Sequence, residues 1–218
     1  MLGNDIVDYH IDEKKYQKPR FTQRILTPQE QQYLAQSNDP NGFLWSLWAA
    51  KEASYKALQR NRQQLTFSPV SLSLTEPTLK QLLTHTSRQP LTGQARFEHH
   101  SIDLKFYRPE PTVVHCIALL QGAGQWCHID QQIAHVPHLH KYKQQARAVR
   151  ICAQKLLQRH HIHADIIRPT LAMNDYEKPG PPILIDGQTK QTLPHIISLS
   201  HDHNYVAVAL YYASFSLK

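Results

Sequence analysis

The sequence has no apolar run long enough to cross a membrane, and its opening segment, Met1–Asp8, carries acids where a secretory leader would carry bases. We therefore expect a cytoplasmic protein that does not engage a membrane. Its three cysteines, Cys116, Cys127 and Cys152, lie far apart and form no C-x-x-C pair. This spacing argues against a disulfide framework or a thiolate metal site and favours free thiols, two of them in apolar surroundings.

Arg/Gly-rich arms and aromatic-interleaved basic motifs are also absent. The formal net charge is nevertheless +7 over 218 residues, which favours a polyanionic partner such as nucleic acid, an acidic protein or a phosphorylated small molecule. Because the lysines and arginines are spread along the chain, we do not expect nucleic acid to be the direct partner. A chain of this length can bury one large core or two smaller ones.

Residues 43–58 contain neither glycine nor proline, and leucine or aromatic residues recur three and four positions apart. This pattern predicts a helix on which Trp48, Glu52 and Lys56 form a ladder along one strip. On spacing alone, Glu52 and Lys56 are equally compatible with an ordinary surface ion pair. Upstream, Thr27-Pro-Gln-Glu30 predicts a capped helix that ends near residue 35.

Apolar alternation and turn residues predict the remaining elements. Strands are expected at 3–9, 70–74, 95–107, 113–120, 165–168, 169–173, 195–201 and 206–212, with helices at 78–84 and 141–160. Residues 38–42 and 202–204 read as loops, 176–185 as a proline-stiffened loop leading into a strand, and 125–140 carry no clear pattern. Because the strands 113–120 and 206–212 resemble each other, we predict two related lobes, 1–122 and 123–218, divided at Gly122-Ala-Gly124.

Three carboxylates stand out as candidate ligands. Asp5 and Asp8 lie in the first predicted strand, where aspartate is disfavoured, and Glu52 lies on the central helix. Hard cations such as Mg²⁺ commonly take one or two protein carboxylates together with water and substrate phosphates. If the strand and the helix pack together, these acids could hold such an ion.

Complementary groups follow in the second predicted lobe, where basic and hydroxyl side chains could hold a phosphate ligand. They are Arg147, Arg150, Lys178, Ser198, Ser200 and His201. By itself, His201 is more often a hydrogen-bonded turn residue. A Ser200–His201 nucleophile pair is disfavoured because adjacent residues of a strand point to opposite faces.

The chain has 15 histidines, several of them clustered between residues 135 and 163. A zinc site is one interpretation of His135, His138, His140, His160, His161 and His163. Since no thiolates and no acidic helical motif accompany them, we favour solvated loop histidines.

Five segments carry a resemblance to a known family: Gly3-x-Asp5-Ile-Val-Asp8, Arg24-Ile-Leu-Thr-Pro-x-Glu30, Trp48-Ala-Ala-Lys-Glu-Ala-Ser-Tyr-Lys56, Glu177-Lys-Pro179 and Ile197-Ser-Leu-Ser-His201. In order and spacing they resemble the signature of the 4'-phosphopantetheinyl transferases. The W-x-x-K-E-x-x-x-K pattern is the most specific of them. The matches lie near both ends of the chain and leave residues 60–140 unsupported.

The resemblance implies an α+β pseudo-dimer of two similar lobes, each a small antiparallel sheet packed on helices, with one active site between them. It implies a monomer that transfers 4'-phosphopantetheine from coenzyme A to a serine of an acidic carrier protein, in a Mg²⁺-dependent reaction. Such carriers serve fatty-acid, polyketide or nonribosomal-peptide synthesis.

Carried over residue by residue, the resemblance makes Asp5 and Glu52 metal ligands, with Asp8 as a further candidate. Glu52 and Lys56 become the catalytic pair, Lys56 through the phosphates and Glu52 also as a candidate base. Lys178, Ser200 and His201 would hold the nucleotide end of coenzyme A. Arg147 and Arg150, chosen above from their place on the basic helix, are added to them as candidates that bind coenzyme A. Lys51 and Trp48 would be mainly structural.

Two features depart from the two-lobed members of the family. The acidic lobe comes first here, and Val7 occupies the position two after Asp5 where those members carry an acid, whereas Asp8 matches the shorter single-lobe synthases. These departures keep two alternatives open: a coenzyme A-binding homologue without transfer activity, and a basic adaptor for an acidic protein or nucleic acid.

Overall fold

A computed structural model describes residues 1–11, 14–85, 88–139, 141–173 and 176–213. Helix and antiparallel strand occur in similar amounts, which confirms the predicted α+β class. Across these ranges the α-helices are α1 (Pro19–Ile25), α2 (Pro28–Gln36), α3 (Pro40–Gln59), α4 (Glu76–Thr84) and α5 (Tyr142–Arg159). A search of the described helices finds none with the length and apolar character needed to cross a membrane.

The strands of the described ranges are β1 (Leu2–Asp8), β2 (Ser73–Leu74), β3 (Leu91–Phe97), β4 (His100–Glu110), β5 (Val113–Leu120), β6 (Ile129–His135), β7 (Ala164–Ile167), β8 (Thr170–Ala172), β9 (Glu177–Pro179), β10 (Ile183–Asp186), β11 (Ile196–Asp202) and β12 (Tyr205–Tyr211). They form four antiparallel sheets, in the orders β1-β5-β4-β3-β2, β11-β12-β6, β10-β7 and β8-β9.

Helix α3 crosses the five-stranded sheet and contacts β1 and β5. Its apolar side is fully buried, with Leu44, Leu47 and Ala53 all at 0% exposure. Gly3 of β1 makes this contact possible, because a Cβ at that position would lie 2.0 Å from the Ala53 carbonyl oxygen. The close approach fixes the position of β1 against the helix that carries Glu52.

The start of α3 differs from the prediction, which placed a loop at residues 38–42. Pro40 and Gly42 instead lie in its first turn, and the Asp39 carboxylate accepts a hydrogen bond from the Gly42 N–H at 2.8 Å. An Asp-Pro pair is typical of a loop, but it is also an N-cap followed by proline at the first helical position. The Thr27–Glu30 capping box of α2 forms as predicted.

Several strand predictions were wrong in extent. The predicted strand 70–74 is reduced to β2, because residues 69–71 form a 3-10 turn. The predicted strand 95–107 is a hairpin whose turn includes Glu98 at φ 54°, a position that no glycine or proline marks in the sequence. Residues 177–179 of the predicted loop pair as β9, and the unpatterned stretch contains β6.

Two large apolar cores lie on either side of the molecule. One is built from buried residues between positions 7 and 120, and the other from buried residues between positions 149 and 210 under α5. Two small clusters join them, Leu2 with Ile117 and Ala209, and Ile6 with Val113 and Ala207. The division at 122/123 remains a prediction, since β1 packs on both sides.

Arg60, at the end of α3, ties the two halves together. Its guanidinium donates to the carbonyl oxygens of Leu2, at 3.0 Å, Pro182, at 3.2 Å, and Ile197. Burial and the neighbouring Arg168 lower the pKa of Arg60 to about 10, so the group stays charged near neutral pH.

We expect Arg60→Met to lower the free energy of unfolding by about 2–4 kcal/mol, because three carbonyls lose a charged donor. Urea denaturation measures this change. Arg62→Met is the matched control, since its ion pair with Glu98 is about half exposed and should contribute less than about 1 kcal/mol. Equal losses in the two variants would show that Arg60 does not hold the halves together.

Candidate active site in the cleft between the sheets

A cleft of about 700 Å³ opens where β1 and α3 face β11 and α5. Asp5 of β1 and Glu52 and Lys56 of α3 line one side, while Arg150 of α5 and His201 of β11 line the other. Both halves of the molecule therefore contribute polar or charged side chains to one space.

The helical ladder reaches this cleft as a unit. Trp48, Glu52 and Lys56 are four residues apart and all line it. This follows from the helical period, which places every fourth residue on the same strip. Leu44 and Leu47 are buried in the core, whereas this strip borders the cleft, and its Trp48 also packs against the core.

Asp5 is buried to 7% exposure and engaged by two donors. Lys56 Nζ lies 2.7 Å from Asp5 Oδ1 and also donates to the Asn4 carbonyl oxygen at 3.1 Å. The Ser200 hydroxyl donates to the same Oδ1 at 2.8 Å. The carboxylate is thus held by one residue from each side of the cleft.

Glu52 lies close enough to Asp5 and Lys56 for their charges to act on it. The pKa of Glu52 is raised to about 7, mainly by burial; the Lys56 charge opposes this shift, and the Asp5 charge adds to it. Bringing two carboxylates together in a partly desolvated space is unfavourable unless a cation or proton is shared. The arrangement is one that a divalent cation would stabilise.

Two carboxylates and an open cleft fit the requirements of Mg²⁺, which usually takes only one or two protein carboxylates beside water and substrate phosphates. The described ranges contain no cluster of three or more His, Cys, Asp or Glu side chains that could hold a metal ion by themselves. Of the histidines considered for zinc, His140 lies outside the described residues.

Other residues selected from the sequence lie elsewhere. Asp8 does not line the cleft; its Oδ1 accepts from the His10 N–H at 3.2 Å. Arg147 is exposed and also does not line it, while Arg150 does and donates to the Ile166 carbonyl oxygen at 2.7 Å. Lys178 does not line the cleft and donates to the Leu65 carbonyl oxygen at 2.9 Å.

The structure adds cleft residues that the sequence did not single out. Arg168 follows β7 and brings a further cation, and Tyr142, the first residue of α5, places its ring edge-on to His201 at 5.2 Å. Burial, Lys56 and Arg168 lower the pKa of His201, so its imidazole is neutral near pH 7. The only sequence signal for Arg168 was its place at the end of a predicted strand.

Asp202, at the end of β11, was read as part of a turn and also lines the cleft. Burial raises the pKa of Asp202 to about 6 despite the hydrogen bond from the Asp8 N–H. The three cysteines are free, with Cys116 and Cys152 buried and Cys127 exposed, as the sequence predicted.

Comparison with known proteins shows the family to which the chain is similar. The family model for the 4'-phosphopantetheinyl transferase superfamily matches residues 1–116, a span that includes β1 and α3 with Asp5, Glu52 and Lys56. A holo-[acyl-carrier-protein] synthase of Shewanella piezotolerans is 38% identical over 65 residues, which cover 26% of this chain and 50% of that protein. The chain thus spans about half the length of this curated relative. Because the family match covers more than half of its residues, this chain belongs to the 4'-phosphopantetheinyl transferase superfamily.

Proposed function

We propose that this protein transfers the 4'-phosphopantetheine group of coenzyme A to a serine hydroxyl of an acyl or peptidyl carrier protein in a Mg²⁺-dependent reaction. The observation that carries the proposal is the cleft in which Asp5, Glu52 and Lys56 face Arg150 and His201. Family membership and the similarity to a holo-[acyl-carrier-protein] synthase support it independently.

The charges of the cleft suit a pyrophosphate donor. Lys56, Arg150 and Arg168 supply cationic donors, and neutral His201 supplies a hydrogen-bonding ring that carries no net charge. Guanidinium groups bind phosphate oxygens well because their donors are arranged as a planar fork. We assign the nucleotide end of coenzyme A to the side with Arg150 and His201, whereas Lys178 does not line the cleft.

Asp5 and Glu52 would hold the magnesium ion between them. When bound, the ion supplies a positive charge that stabilises the charge developing on the pyrophosphate oxygens. Asp8 lies outside the cleft, so the proposal rests on two carboxylates.

In the reaction, the carrier serine oxygen forms a bond to the β-phosphorus while the bond from that phosphorus to the bridging oxygen breaks, and 3',5'-ADP leaves. Lys56 lies beside Asp5 and is placed to neutralise phosphate charge. The serine proton must pass to a base, and Glu52, which lines the cleft beside Asp5 and Lys56, is the candidate.

The net charge of +7 supports an acidic carrier protein as the partner. Opposite charge speeds encounter, and salt screens this attraction. The rate of transfer at low carrier concentration should therefore fall as ionic strength rises.

The test is to incubate the protein with an apo carrier protein, coenzyme A and Mg²⁺ and to measure the carrier mass. We expect the mass of one phosphopantetheine group to be added, and EDTA to prevent it. Absence of any mass gain with acyl and peptidyl carriers would overturn the proposal. Calorimetric binding of coenzyme A without transfer would identify an inactive coenzyme A-binding homologue.

A further inference from the structure

The two sheets meet at a seam between β1 and β11, where side chains of β11, rather than a backbone ladder, accept hydrogen bonds from β1. Strand β1 is the edge of its sheet, and its outer N–H groups belong to alternate residues. The N–H of Asn4 donates to Ser198 Oγ at 3.0 Å, that of Ile6 to Ser200 Oγ at 3.1 Å, and that of Asp8 to Asp202 Oδ2 at 2.9 Å. The strand period of two brings every second side chain of β11 to the same edge.

Of these side chains, Ser200 makes a second bond that reaches the acidic site. Its hydroxyl accepts from the Ile6 N–H and donates to Asp5 Oδ1 at 2.8 Å. Ser198, two residues earlier and equally buried, accepts from Asn4 N–H. The hydroxyl of Ser200 is therefore shared between the backbone of β1 and the carboxylate that β1 carries.

Two donors fall on the same oxygen of Asp5. Lys56 Nζ lies 2.7 Å from Oδ1, and Ser200 Oγ lies 2.8 Å from it. This leaves the second oxygen of the carboxylate for another ligand. Without the hydroxyl, the carboxylate would be free to rotate and offer both oxygens to Lys56, which would withdraw it from the cleft.

We infer that Ser200 is a positioning residue, which fixes the carboxylate of Asp5 for a divalent cation across the seam between the sheets. The inference rests on the metal site of the proposed function and adds to it a residue from the second sheet. It differs from the role that the family resemblance implies for Ser200, a contact to the nucleotide end of coenzyme A. Partners that orient a metal ligand typically change metal affinity by 10–100-fold when they are removed.

The experiment uses the full chain and compares Ser200→Ala with Ser198→Ala, which removes the neighbouring seam bond but no contact to Asp5. Mn²⁺ affinity is measured by electron paramagnetic resonance without nucleotide, and affinity for 3',5'-ADP by calorimetry without metal. We expect Ser200→Ala to weaken Mn²⁺ binding about tenfold. Ser198→Ala should stay within about twofold, and 3',5'-ADP affinity should be unchanged in both.

Two further variants keep the test decisive if Ser200→Ala does not fold. Ser200→Thr keeps the hydroxyl. Ser200→Val introduces a side chain of nearly the same shape as threonine that has no hydroxyl. We expect the threonine variant to bind Mn²⁺ with near wild-type affinity and the valine variant to lose about tenfold. Equal Mn²⁺ affinities in this pair would overturn the inference, irrespective of any change in stability.

Other results would also overturn it. They are weakened 3',5'-ADP binding with unchanged Mn²⁺ affinity in Ser200→Ala, an equal Mn²⁺ loss in Ser198→Ala, and absence of Mn²⁺ binding by the wild type. Failure of the proposed function is distinguishable, since a protein that modifies no carrier but shows the expected Mn²⁺ pattern would refute transfer and retain the positioning role.

Discussion

Replacement of Glu52 by glutamine is expected to abolish transfer and at the same time stabilise the metal-free fold. Loss of the carboxylate removes a proposed magnesium ligand and candidate base, so kcat should fall on the order of 10²–10⁴-fold. The amide has nearly the same size and carries no charge. It therefore removes the repulsion from Asp5 and the cost of burying a carboxylate that together raise the pKa of Glu52.

The direction of the stability effect follows from proton linkage. The pKa of Glu52 is raised from 4.5 to about 7, so the folded state binds the proton more tightly than the unfolded state. This contribution to stability is fully present below about pH 4.5 and is lost as the pH rises through about 7. At pH 8 in EDTA, the free energy of unfolding of Glu52→Gln should exceed that of the wild type by about 1–3 kcal/mol.

Urea denaturation at pH 8 and pH 4 measures this difference, which should nearly vanish at the lower pH. Mg²⁺ should raise the melting temperature of the wild type but not that of Glu52→Gln. A variant that keeps full transfer activity, or one that is less stable than the wild type at pH 8, would contradict the assignment of Glu52.

Of the substitutions proposed, replacement of Lys51 by methionine should cause the largest loss in the free energy of unfolding. Lys51 Nζ lies 2.6 Å from Glu30 Oε2 and donates to the Pro69 carbonyl oxygen at 2.9 Å, and both charged side chains are at most 1% exposed. Burial lowers the pKa of Lys51, and the Glu30 charge opposes this shift. In Lys51→Met the Glu30 carboxylate would stay buried without its cation, at a cost of about 3–5 kcal/mol.

The double variant Lys51→Met with Glu30→Gln separates loss of the ion pair from loss of packing. The glutamine removes the buried charge but keeps only one oxygen for the two backbone N–H groups that Glu30 accepts, those of Thr27 and Leu74, so part of the lost stability should return. Lys80→Met is the matched control, because its pair with Glu76 is more than half exposed and should contribute at most about 0.5 kcal/mol. Urea denaturation of the four proteins tests this. A loss in Lys51→Met no larger than in Lys80→Met would contradict the prediction.

The helices were largely predictable because their signals are local. The Thr27–Glu30 box, the helical period of residues 43–58 and the basic segment 141–160 each contain their own caps or spacing. The hairpin turn at Glu98 was missed because it has no such local signal: its positive φ follows from strand pairing and is marked by neither glycine nor proline. The strand predicted at 70–74 was too long, because apolar alternation is equally compatible with the 3-10 turn that residues 69–71 form before β2.

Parts of the candidate site were also accessible from the sequence. The four-residue spacing placed Glu52 and Lys56 on one strip, and an aspartate in a strand drew attention to Asp5. Asp5 and Asp8 lie an odd number of positions apart in one strand, so period-two alternation alone separates their faces. Arg168 carried no comparable signal, because nothing local indicates that the end of β7 lies near α3.

By itself, then, the sequence determined the capped helices and the acid-base ladder of α3, since each depends on residues within a few positions of one another, while its resemblance to a family implied the α+β class. Only the tertiary structure decided which carboxylates share a cleft, that Arg168 and Asp202 line it, and that Ser200 bonds to Asp5. These contacts join residues that are far apart in sequence, up to 195 positions for Ser200 and Asp5, and they depend on how two sheets pack edge to edge. That packing is set by burial and by hydrogen bonds between residues distant in sequence, and a local sequence pattern does not indicate which distant residues come together.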